Sequence, residues 1–137
     1  MINVEYRGIK DTDMNFIYNS WLKSYRQSDF AKKVPNDVYY TYQKAKIDRV
    51  MDVSSILIIH AKDQPDHILG YIVASEEPYT CIHYVYVKYP YRKLGIAKQL
   101  CNSLVSGFGN RTVICTHAHY NWKEFTKKFN LVFNPYL

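Results

Sequence analysis

Three observations predict an α/β fold. The hydrophobic period switches between helical and strand spacing along the chain. The elements it marks run in the order β, α, α, β, β, β, α, β, α, β, and one strand feeds directly into a helix through Tyr89-Pro90-Tyr91-Arg92-Lys93-Leu94-Gly95. With 137 residues, 47% hydrophobic and 22% charged, residues 1–137 are expected to form one domain with its own core.

Val4-Glu5-Tyr6-Arg7 alternates as a short first strand, and Asp11-Thr12-Asp13 offers N-cap oxygens to a helix carrying Phe16, Ile17, Trp21 and Leu22 and ending near Tyr25. Pro35-Asn36-Asp37 opens a second helix through Val38, Tyr42, Ile47 and Met51. Residues 55–61 and 68–74 are β-branched runs around the turn-like Asp63-Gln64-Pro65-Asp66, an antiparallel hairpin. Residues 81–87 are apolar or aromatic on both faces, which suits a central strand. Ile96, Leu100, Leu104 and Phe108 recur every fourth residue, giving an amphipathic helix over 95–108. Residues 111–119 alternate again. Asn121 is placed to cap a last helix with Trp122, Phe125 and Phe129, Asn130 to stop it in the left-handed region, and Leu131-Val132-Phe133 to add a short strand.

Composition narrows the function classes. The longest apolar runs fall far short of the roughly 20 residues that a membrane helix needs, and the first residues lack a signal-peptide pattern, so a cytoplasmic protein is expected. Cys81, Cys101 and Cys115 match no zinc or redox spacing and read as reduced, buried thiols; His117 and His119 alternate without a third ligand, so no metal is expected. The net charge of +6 favours an anionic partner without choosing one.

The strand-to-helix junction carries the chemistry. Arg92-Lys93-Leu94-Gly95-Ile96-Ala97 sets two cations and a glycine where backbone N–H groups and a helix dipole can converge on a phosphate. A pyrophosphate is the natural ligand.

Residues 87–97, with the strand before them and the helix after them, resemble the acetyl-CoA signature of the GNAT N-acetyltransferase superfamily: Arg or Gln, two residues, Gly, any residue, Gly or Ala. The order of elements extends the resemblance over nearly the whole chain. Trp21-Leu22-Lys23-Ser24-Tyr25-Arg26 is also similar to small acetyltransferase-like proteins of tailed phages. The resemblance implies a mixed, mostly antiparallel central sheet with helices on both faces and a fourth and fifth strand that splay to admit acetyl-CoA as cosubstrate. The amides of Arg92, Lys93, Leu94, Gly95, Ile96 and Ala97 would then bind the pyrophosphate, backbone groups of Val85 and Val87 the pantetheine, and Asn121 would join the cofactor contacts. The Val85 amide is the implied oxyanion donor.

The implied reaction is direct attack of an amine on the acetyl thioester. A lysine-like amine is neutral about once in 2,500 molecules at pH 7, a penalty of roughly 4.6 kcal/mol that a base, a water chain or desolvation must offset. Where some family members carry a glutamate this chain has Cys81. His83, two residues on and expected to share a face with Val85, is the candidate base; Glu76 and Glu77 are alternatives. The family's acidic tyrosine falls on Thr126, a poor acid, which leaves Tyr120 or a water to protonate the leaving thiolate.

After Asn130 the family usually adds a hairpin that walls the acceptor site, whereas residues 131–137 supply one strand at most. That leaves an open acceptor side suited to a protein or small-molecule amine, or a second copy of the chain as the wall, a homodimer. The competing readings are a GNAT-fold protein with little or no turnover that binds a cellular partner, and, less favoured, a basic, tyrosine-rich nucleic-acid module.

Overall fold

The structure is a computed structural model that describes residues 3–119 and 122–137. Ten elements follow the expected order: β1 Val4–Gly8, α1 Met14–Tyr25, α2 Asn36–Val53, β2 Ser55–Ala61, β3 Gln64–Ser75, β4 Cys81–Val87, α3 Ile96–Leu104, β5 Val113–Cys115, α4 Trp122–Lys128 and β6 Leu131–Phe133. The strands lie in one sheet in sequence order. β1 to β4 pair antiparallel, and β4 with β5 and β5 with β6 pair parallel, the mixed sheet expected above.

Two cores form because strand residues alternate between faces. On one face Leu69, Ile72, Ile82 and Val87 pack with Ile96, Leu100 and Cys101 of α3, and Trp122 and Phe125 of α4, with Phe129 just after it, close over them. On the other, Tyr71, Val73 and Tyr84 meet Ile17, Trp21 and Tyr25 of α1 and Ile47 and Val50 of α2. Trp21 is fully buried and stacks on Tyr84 with centroids 4.9 Å apart, worth roughly 1 kcal/mol beyond the area it hides. All three cysteines are free and buried, as expected. Among the described residues, no helix is long and apolar enough to cross a membrane.

Several local expectations change. Asp13 does not cap α1 with its side chain; the carboxylate accepts from Arg7 at 2.7 and 2.9 Å and from the Lys10 amide at 2.8 Å, which ties β1 to the helix start. α3 stops at Leu104 because Val105 turns extended, and Val105 and Phe108 reach the core from a loop in which Gly107 and Gly109 have φ of 70° and 88°. Asn130 does not adopt a left-handed stop; its carbonyl accepts from the Val113 amide at 2.9 Å. Only three residues of the alternating 111–119 segment form strand, because its partner β4 turns away from it.

Candidate functional site

β4 and β5 pair only at Cys81 with Ile114 and Ile82 with Cys115, then part. This is the splay expected near their C-terminal ends. The cause is visible in β4: Val73 pairs with Tyr84 but Ala74 pairs with Ile82, so His83 is an extra residue, a β-bulge that bends the strand. The Lys88 amide donates to Leu69 O at 2.8 Å. By antiparallel alternation Lys88, Tyr86 and Tyr84 bond toward β3, while Val85 and Val87 turn their amides and carbonyls toward the opening.

The bulge also corrects one expectation. His83 does not share a face with Val85. Val85 and Val87 pack on the α3 side, whereas His83 and Cys81 face α2, where they line a cavity of about 330 Å³ together with Lys46, Arg49, Ser75 and Glu77.

At the other end of the opening, Tyr89–Tyr91 form a 3-10 turn, Lys93 takes φ 66° and Gly95 φ 80°, and α3 begins at Ile96. Gly95 suits this left-handed position, and no side chain caps the helix. The Arg92 amide closes the turn on Tyr89 O, and its Nε donates to Val87 O at 2.7 Å with the guanidinium over Tyr86 and Tyr89. Arg92 therefore braces the end of β4 instead of reaching outward. Lys93, Leu94 and Gly95 are exposed, Ala97 is half-buried, and the Ile96 side chain anchors the helix in the core. The first turn of α3 follows Lys93 closely, so its amides, which no side chain caps, and that charge are placed together for an anion.

Between these ends lies a gap of about 10 Å³, lined by Val85, His83, His117, His119, Trp122 and Phe125, with room for a single water. His83 is 2% exposed and has both ring nitrogens engaged: Nε2 meets Ser75 Oγ at 3.0 Å and Nδ1 meets Thr116 Oγ1 at 2.9 Å. Thr116 Oγ1 also meets His117 Nδ1 at 2.9 Å, and His117 Nε2 meets the Gln43 amide at 2.8 Å. Burial, aided by the Lys46 charge, holds the His83 ring down to about 4; burial, then His83 and Lys46, hold His117 down to about 3. Burial and the Arg92 charge lower His119 to about 4. Burial raises the Cys81 thiol despite Lys46 nearby, so Cys81 is no thiolate base.

Tyr120 and Asn121 lie outside the described residues. Thr126 donates to Lys123 O at 3.0 Å on its own helix. Glu76 accepts from Thr80 Oγ1 at 2.7 Å in a solvated turn. Ser75, Thr116 and Gln43 escaped the sequence reading because nothing in their local pattern says which strand or helix they will face.

A mixed sheet whose fourth and fifth strands part beside a glycine loop and a bare helix start is the acetyltransferase-type architecture that the junction motif implied. Residues 14–121 match the model of the Acetyltransferase (GNAT) family, and the chain belongs to that family. Among solved structures, a protein from Pyrococcus furiosus shares the fold at a TM-score of 0.56 and 13% identity, over 95% of this chain and 82% of that one. A PaiA N-acetyltransferase from Thermoplasma acidophilum in complex with coenzyme A does so at 0.52 and 15%, over 74% and 69%. A GNAT-family acetyltransferase from Staphylococcus aureus Mu50 aligns at 0.49 and 14%, over 74% of this chain, which spans 62% of that protein's length. Curated proteins give no match.

Proposed function

We propose that the protein is an acetyl-CoA-dependent N-acetyltransferase that acts in the cytoplasm on a primary amine, carried by a small molecule or a protein. The observation that carries this is the parting of β4 from β5 after Ile82 and Cys115, with Val85 and Val87 turned to the opening and the α3 start at its end. Acetyl-CoA supplies the activated acetyl group as a thioester. The amides from Lys93 to Ala97 hold the pyrophosphate, with Lys93 adding charge; the Arg92 amide is already used within its turn, so the loop's contribution starts one residue later than the motif implied. The Val87 amide and the Val85 backbone receive the pantetheine as an added strand, and the Val85 N–H donates to the thioester oxygen as negative charge grows there.

The gap of about 10 Å³ is too narrow for this ligand, so Trp122 and Phe125 must move aside when it enters. The cavity of about 330 Å³ beside His83 holds the acceptor amine, and Lys46 and Arg49 against Glu77 give its wall a net positive charge. Tyr120 is proposed to protonate the thiolate, and Asn121 to contact the cofactor.

Thermal unfolding with and without acetyl-CoA tests the cofactor site. At about 100 times its dissociation constant the ligand adds roughly 2.7 kcal/mol and raises the midpoint by several degrees. Gly95→Glu sets a carboxylate against the phosphates and removes the shift. An unchanged midpoint in the wild-type protein at millimolar acetyl-CoA overturns the reading. The narrow gap favours a second reading, a GNAT-fold protein that binds a partner with little turnover; it predicts no CoA release with any amine.

A further inference from the structure

The buried side chains Ser75, His83, Thr116 and His117 and the half-buried Gln43 form one unbroken hydrogen-bonded chain across β3, β4, the segment after β5 and α2. One end opens on the cavity of about 330 Å³ and the other reaches half-buried Gln43. Counting donors gives this chain two complete arrangements. In one, the Gln43 amide N–H donates to His117 Nε2, His117 Nδ1–H to Thr116 Oγ1, Thr116 O–H to His83 Nδ1, and His83 Nε2–H to Ser75 Oγ. In the other, with the Gln43 amide turned over, every link reverses and His117 Nε2–H donates to Gln43 Oε1. Moving one proton from the Ser75 end to the Gln43 end converts the second arrangement into the first.

We infer that these five residues are a proton relay through which an amine bound in the adjoining cavity loses its proton before attack. The inference rests on the transferase reading given above. The acceptor's N–H bond breaks and an O–H bond forms at Ser75 as the Ser75 proton passes to His83 Nε2. The His83 Nδ1 proton passes to Thr116 and the Thr116 proton to His117 Nδ1; as the Gln43 amide turns over to donate its N–H to His117 Nε2, the proton that Nε2 carried leaves to solvent. One proton has crossed, every relay group ends neutral, and the amine nitrogen keeps the lone pair with which it attacks.

A brace needs no such reversibility, and an apolar set of equal volume would avoid the desolvation of five polar groups. Burial keeps both rings uncharged at neutral pH, so neither traps the proton as a stable imidazolium. The groups facing the relay are Lys46 and Arg49 of α2, Glu77 of the β3–β4 turn and Cys81 at the cavity end, and Tyr25 and Tyr84 around the His117 ring.

Thr116→Val keeps the volume and removes both central links. Its kcat at pH 7 is expected to fall about 100-fold with acetyl-CoA affinity unchanged. The deficit narrows as pH rises and free amine accumulates, and Thr116→Ser restores the rate to within about threefold. A folded Val variant with the wild-type rate from pH 6 to 9 overturns the relay. Should that variant fail to fold, nitrogen NMR of the histidine rings decides: Gln43→Leu must move the ring signals of His83, three links away, and a His83 left unchanged overturns the chain. A wild-type protein that binds no acetyl-CoA in the same titration fails the transferase reading itself, which removes the amine as proton source and is distinct from a loss confined to the Thr116 variant.

Discussion

Acidification from pH 7 to pH 5 should cost this protein about 5 kcal/mol of stability, nearly all of it from three histidines, His83 and His117 buried and His119 half-buried. His83 is held down to about 4, His117 to about 3 and His119 to about 4, against an unfolded value of about 6.5. Because the folded values lie below the unfolded one, the unfolded chain binds more protons in this window. The histidine contribution is therefore complete above about pH 6.5 and is lost as pH falls toward the folded values. At 1.36 kcal/mol per unit, each ring loses about 2 kcal/mol between pH 7 and 5, and three sum to about 5 to 6. The carboxylate Asp13, lowered by its hydrogen bonds to Arg7, titrates below this window and adds nothing to it. For a chain of this size the loss corresponds to a midpoint roughly 15 °C lower. Urea unfolding at pH 7 and 5 measures it. A change under about 1 kcal/mol would mean that the rings accept protons in the folded protein, which would refute the dry, hydrogen-bonded placement of His83 and His117 and the relay built on it.

Gly70→Ala should be severely destabilising, because a Cβ there would sit 2.3 Å from the Tyr86 carbonyl oxygen, a backbone atom of the adjacent strand. Overpacking of this kind costs about 3 kcal/mol, seen as a midpoint roughly 10 °C lower; a midpoint within 2 °C of wild type would contradict the β3–β4 approach. Thr126→Val should leave the transfer rate unchanged, since the hydroxyl bonds only within its own helix; a tenfold loss in steady-state rate would return it to the site.

The strong periodic signals in the sequence were reliable. Residues 81–87 became β4 without a change of boundary, and the change in period marked every helix and strand in order. What the sequence could not show was where tertiary pairing overrides local pattern. Nothing in Cys81-Ile82-His83-Tyr84-Val85 announces that His83 is the extra residue, because a bulge depends on the register of the partner strand. That single slip moved His83 from the face of Val85 to the face of Lys46. Similarly, 111–119 alternates throughout, yet pairing ends at Cys115 since β4 has bent away. Arg92 reads as a phosphate-facing cation by position, but the open carbonyl of Val87 captures it first. Thr116 and Gln43 carried no signal, for a lone hydroxyl or amide gains meaning only from what it meets across the fold.

The most direct test of the central claim is release of CoA thiol from acetyl-CoA on addition of a panel of primary amines, carbon-bearing small molecules and lysine peptides alike. Acetyl transfer predicts that at least one amine raises thiol release above the hydrolysis background, one thiol for each amine acetylated. Background release with every amine, in protein that still binds acetyl-CoA, would contradict transfer and leave a protein that uses this fold to bind.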